Sequence, residues 1–137
     1  MAQRVTILVV AAGLLAGGCS PGTTPGAGGA ADAQPDGARL YAGNCIACHQ
    51  QDGRGIPGVY PALAGSPVVA GDPVALAAWI VRGQRPATLP AGRYTTVMPQ
   101  FVWLRPDAAA ALLTYLRRSF GNQAAAVDAA ALAPVFQ

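Results

Sequence analysis

The sequence predicts an all-α fold, a small helical domain of about 100 residues after its N-terminal segments are set aside. Three observations support that class. Three stretches, near 37–48, 72–83 and 106–118, carry helical spacing with definable ends, and no convincing alternating apolar run suggests a strand. Two long Gly- and Pro-rich connections, 50–71 and 84–104, show no hydrophobic period. Loops of that length are uncommon in a compact domain unless they wrap something.

The chain opens with Arg4 and an apolar run from Val5 to Ala16. That run is short of the roughly 20 residues a membrane span needs and matches the apolar core of an export signal, so residues 1–18 are expected to be a signal peptide. Leu14-Leu15-Ala16-Gly17-Gly18-Cys19-Ser20 looks like a bacterial lipobox, with Leu15 one position further from the cysteine than is usual. The resemblance implies a diacylated Cys19 at the mature N-terminus, and acyl chains contribute about 0.8 kcal/mol per buried methylene. Ordinary cleavage after small residues, leaving Cys19 a spare thiol or removing it, is the alternative. Residues 19–37 hold almost nothing but Gly, Ala, Pro, Ser, Thr, Asp and Gln, and cannot build a core. They read as a flexible tether of about 18 residues, with a root-mean-square span of roughly 25 Å and a drawn-out limit of roughly 60 Å. The helical domain then occupies 38–137.

The first helical stretch, about 37–48, places Leu40, Gly43 and Asn44 on one face. Asp72-Pro73 starts the second, with Asp as cap and Pro at the first helical position; Leu76, Trp79 and Ile80 repeat at i, i+3 and i+4, and Gly83 stops it. Pro106-Asp107 opens the third, Leu112, Tyr115 and Leu116 form its buried stripe, and Arg117-Arg118 before Gly121 marks its end. An Ala-rich tail, 123–135, reads as a short helix or a frayed end.

Residues 45–49 read Cys-Ile-Ala-Cys-His, and the chain has one other cysteine and no other histidine. Cys45-x-x-Cys48-His49 is the attachment pattern of a c-type haem: two thiols a helical turn apart add to the vinyl groups, and the adjacent imidazole reaches the iron from the same side. A structural zinc site takes four ligands, and here would be one short unless Cys19 joined it. A thioredoxin-like dithiol belongs in a chain of alternating strands and helices, which this is not. A haem also explains the long connections, which would pack against porphyrin.

The order of helix, Cys45-x-x-Cys48-His49, loop, helix, loop with Met98-Pro99, and final helix resembles the class I cytochrome c fold over 38–120. The resemblance implies Met98 as second axial ligand, with Met1 the only other methionine. It implies a proximal imidazole bonded to the carbonyl of Pro61, within Tyr60-Pro61-Ala62-Leu63, and a close crossing of first and last helices at Gly43 and Tyr115. Asn44-Cys45, Pro61 to Val69, Met98 to Phe101 and Ser119 to Asn122 are similar to the cytochrome subunits of bacterial periplasmic membrane-bound dehydrogenases for alcohols and sugars. Leu63, Val68, Trp79, Ile80, Val97 and Phe101 are candidates for the haem shell, and Arg93, Tyr94 or Trp103 for propionate bonds.

The formal charge of +3 includes Arg4; the mature form would carry about +2, and two propionates would bring it near zero. All basic residues are Arg, and none cluster as a nucleic-acid site would require. The expectation is a single-electron carrier with one covalent haem c and His49/Met98 ligation. It would sit on the periplasmic side, membrane-anchored by lipid or else soluble, and serve redox partners such as a dehydrogenase, a terminal oxidase or another cytochrome. The alternatives are a gas- or peroxide-binding haem protein in which Met98 is labile, and a lipoprotein with a purely structural or metal-binding role.

Overall fold

In a computed structural model, residues 35–87, 94 and 96–137 are described. The signal segment, Cys19 and the tether up to residue 34 lie outside them, as does Arg93. Asp36 accepts from the backbone N–H groups of Ala38 and Arg39, at 2.9 and 3.3 Å, which satisfies two donors a helix start leaves open. Helix α1 follows, Gly37–Asn44. It is interrupted at Cys45 and resumes as α2, Ile46–His49. The one predicted helix is therefore two, and Gln50, at φ 62°, turns the chain away.

Along α1 and its C-terminal cap the buried residues are Tyr41 and Cys45, Gly37 and Leu40 are half-buried, and Gly43 and Asn44 are exposed. The expected face was thus displaced. So was the crossing: Gly43 has nothing near it, while a Cβ at Gly37 would press into the carbonyl of Ala111 and come within 2.8 Å of Tyr115 Cβ. Tyr115 is where expected, and Gly37 is its glycine partner.

Helix α3, Pro67–Ala70, is a single turn inside the first long connection, capped by Ser66. Helix α4, Pro73–Arg82, starts on the Asp72 cap and ends at Gly83, whose left-handed φ of 71° closes the turn. Helix α5, Pro106–Arg118, buries Leu112, Leu113 and Leu116. A terminal 3₁₀ helix, Ala129–Val135, is capped by Asp128 and buries Leu132 and Val135 against α4 and α5. The tail is accordingly part of the core. Among the described residues there is no strand, only an isolated bridge between Ile56 and Tyr60, and the fold is all-α.

Aromatic rings fill the corner where α1 meets α5. Tyr41 lies 5.5 Å from Tyr115 and 5.1 Å from Phe120, centroid to centroid, within the range of favourable offset and tilted pairs. Gly53, at φ +68°, lies against the Phe120 ring, where a Cβ would sit 2.5 Å from Cγ. That contact sets the start of the loop leading from α2 to the cleft.

Candidate haem site

Helix α2 brings Cys45, Cys48 and His49 together because three and four residues make one helical turn. Cys45 and His49 are buried, Cys48 is half-buried, and neither cysteine is in a disulfide. Burial, and secondarily the neighbouring Cys48, pushes the Cys45 thiol up to about 11. A reactive dithiol needs the opposite, a thiolate stabilised by positive surroundings. That direction speaks against a thioredoxin-like role. Among the described residues no three His, Cys, Asp or Glu side chains are grouped as a metal ion would require, so these residues do not supply a zinc ligand set.

His49 Nδ1 lies 2.9 Å from the carbonyl oxygen of Pro61. A carbonyl only accepts, so Nδ1 carries the proton and donates it, which leaves the lone pair on Nε2. Burial lowers the imidazole pKa and the Pro61 bond opposes that shift. The neutral ring, held in one tautomer, is the form that binds a metal.

The Pro61 carbonyl is fixed by the loop that carries it. Gly55 N–H donates to His49 O at 3.0 Å, and Leu63 and Ala64 N–H donate to Gly53 O at 2.7 and 3.0 Å. Asn122, buried just beyond α5, donates through Nδ2 to Leu63 O at 3.0 Å and Leu116 O at 2.9 Å. One amide therefore joins the loop to the last helix.

These segments line a cleft of about 60 Å³. Cys45 and His49 form one part of its lining, Pro61, Leu63, Val68 and Val69 another, Trp79 and Ile80 of α4 a third, and Met98 also faces it. Leu112 and Leu116 of α5 contribute as well. The lining is aliphatic and aromatic with few polar atoms. Two thiols and an imidazole in one motif, a thioether from the other connection, and apolar walls make a donor set that suits a flat, covalently held macrocycle.

Among the predicted shell residues, Leu63, Val68, Trp79 and Ile80 line the cleft beside Cys45, His49, Pro61 and Met98. Phe101 does not. It is half-buried, its N–H donates to Ile80 O at 2.9 Å, and its ring meets Trp103 edge-on at 6.4 Å, so it braces the loop after Met98 from outside. Val97 is 86% exposed and Trp103 57%. Tyr94 is half-buried. Val69, also in the lining, was missed, although Ser66-Pro67 is the same cap-and-proline signal that revealed α4. Arg117 and Asn122, which tie the cleft wall from behind, carry no local signal.

The family model for cytochrome c matches residues 35–119. Cytochrome c-552 of Thermus thermophilus is 36% identical over 100 residues, covering 69% of this chain and 67% of the relative. The cytochrome c subunit of a quinone alcohol dehydrogenase from Gluconobacter oxydans is 34% identical over 90 residues, 64% of this chain and 19% of the subunit. That of gluconate 2-dehydrogenase from Pantoea cypripedii is 36% identical over 101 residues, 69% of this chain and 22% of the subunit. The chain thus corresponds to about a fifth of each of these larger subunits.

Proposed function

The chain belongs to the cytochrome c family, whose members carry electrons on a covalently bound c-type haem, and from that premise we propose a monohaem carrier with His49 and Met98 as axial ligands. The observation that supports it most is that His49, its Nδ1–H held by Pro61, and Met98 line one apolar cleft. A haem bound there supplies reversible one-electron chemistry with both axial positions taken by protein.

The chain's own residues do the rest. Cys45 and Cys48 hold the group through thioethers, and the Pro61 bond raises the basicity of His49 and fixes its ring. Leu63, Val68, Trp79 and Ile80 exclude water, which disfavours the extra positive charge of the oxidised form. The Met98 thioether, a soft neutral ligand, shifts the balance the same way. With both axial positions taken by protein, the role is transfer of electrons between partners.

Those partners, in this proposal, are periplasmic or membrane redox proteins. The dehydrogenase cytochrome subunits among the relatives support a donor of that class. Val97, Val102 and Trp103, which are 86, 69 and 57% exposed on the segment around Met98, offer an apolar face for docking. Cys19 is the proposed lipid anchor that keeps the domain at a membrane surface.

Met98→Ala tests the ligand assignment in the haem-loaded protein. The reduction potential is expected to fall by a sizeable part of the roughly 0.8 V range that axial ligands command. The weak far-red sulfur-to-iron band should vanish, and the reduced protein should bind carbon monoxide. A variant that titrates at the wild-type potential would show that Met98 is not the ligand, and rapid carbon monoxide binding by the wild type would favour the gas-binding reading.

A further inference from the structure

Arg117 is the one buried arginine among the described residues, at 6% exposure in the last turn of α5. Its Nε donates to Ala125 O at 2.8 Å, and Nη1 donates to Val69 O at 2.8 Å and Gly71 O at 2.7 Å. All three acceptors are backbone carbonyls. The ion pairs among the described residues are Arg54–Asp52 and Arg105–Asp107, so no carboxylate there neutralises Arg117. Removing a guanidinium from water is costly unless its donors are met. Here carbonyl dipoles and the negative end of α5 offset the cost without cancelling the charge.

Two consequences follow from that position. The guanidinium fork ties α5 to the corner between α3 and α4 and to the tail, and Val69, whose carbonyl it holds, lines the haem cleft, as does Leu116 beside it. A fixed positive charge in a low-dielectric interior also acts over longer distances than one in water. The oxidised carrier has one more positive charge than the reduced one, and Arg117 opposes it.

We propose that Arg117 is a positioning residue that locks the Val68–Val69 wall of the cleft and, as a buried cation without a carboxylate partner, raises the reduction potential of the site. The inference rests on the haem-carrier reading. Its test is redox titration of haem-loaded Arg117→Gln and Arg117→Lys beside the wild type, with covalent haem content from the pyridine haemochrome and Met98 ligation from the far-red band. Arg117→Gln, neutral and too short to span three carbonyls, should keep haem and band yet titrate at a lower potential. Arg117→Lys, which keeps the charge and loses the fork, should fall between Gln and wild type and lose the band at a lower temperature.

An Arg117→Gln protein with intact haem and band at the wild-type potential overturns the proposal. If Arg117→Gln does not accumulate with haem, Arg117→Lys decides: wild-type values for both potential and band-loss temperature overturn the proposal, and a fall in either supports it. Absence of covalent haem from the wild type would instead refute the carrier reading itself.

Discussion

Gly37 and His49 show how much rests on single positions. The His49 ring is useful as a ligand because one backbone oxygen, that of Pro61, decides which nitrogen bears the proton. Gly37 decides how closely α1 approaches α5. A Cβ there would meet the backbone of Ala111 and the first side-chain carbon of Tyr115, groups that cannot rotate aside. Gly37→Ala should therefore destabilise the haem-loaded protein by about 1–3 kcal/mol, the usual range for overpacking a tight contact. Denaturant unfolding checks it, and a change below about 0.5 kcal/mol, typical of surface sites, would mean the helices slide without strain. The family resemblance pointed to Gly43, six residues after Gly37. Six residues correspond to about 240° of rotation, so both cannot face α5, and only packing of Tyr41 toward the interior selects the face.

Helices were legible wherever their ends carry local chemistry. Asp72-Pro73 and Pro106-Asp107 stated their starts, and Gly83 a stop, because caps, proline and left-handed glycine act within a few residues. Helix α3 was hidden because one turn is too short to show a period, even though Ser66-Pro67 marked it. Arg117 was hidden for a different reason. A last-turn arginine normally complements the helix dipole in solvent, and its contact with Val69 spans 48 residues of sequence. The 3₁₀ tail falls between these cases: Asp128 caps it, but Ala-rich composition gives little sign that Leu132 and Val135 are buried at 0 and 3% exposure. Val127 N–H donating to Thr114 Oγ1 at 3.0 Å and Ala124 N–H donating to Arg117 O at 2.9 Å hold the approach to it. Leu132→Ala should then cost about 2–5 kcal/mol, as for other fully buried leucines. Guanidinium unfolding of the haem-loaded variant measures this, and a loss under about 1 kcal/mol would mean that the tail detaches before the domain unfolds.

On the scale of the whole molecule, function depends on where the haem domain is held. Among the described residues no helix is long and apolar enough to cross a membrane. Membrane attachment is proposed to come from the N-terminal segment, through acylation of Cys19. Two or more acyl chains give stable anchoring where one does not. The proposed tether of about 18 residues would reach roughly 25 Å, enough to raise the effective concentration at a neighbouring redox enzyme to the millimolar range typical of short linkers. Wild-type protein should therefore fractionate with membranes, resist high-salt extraction and yield to detergent. Cys19→Ala should move it to the soluble fraction with unchanged haem content and potential, because the residues that line the cleft run from Cys45 onward. Release of the wild type by salt alone would point to charge, and a Cys19→Ala protein that stays with the membrane would place the attachment elsewhere in the chain.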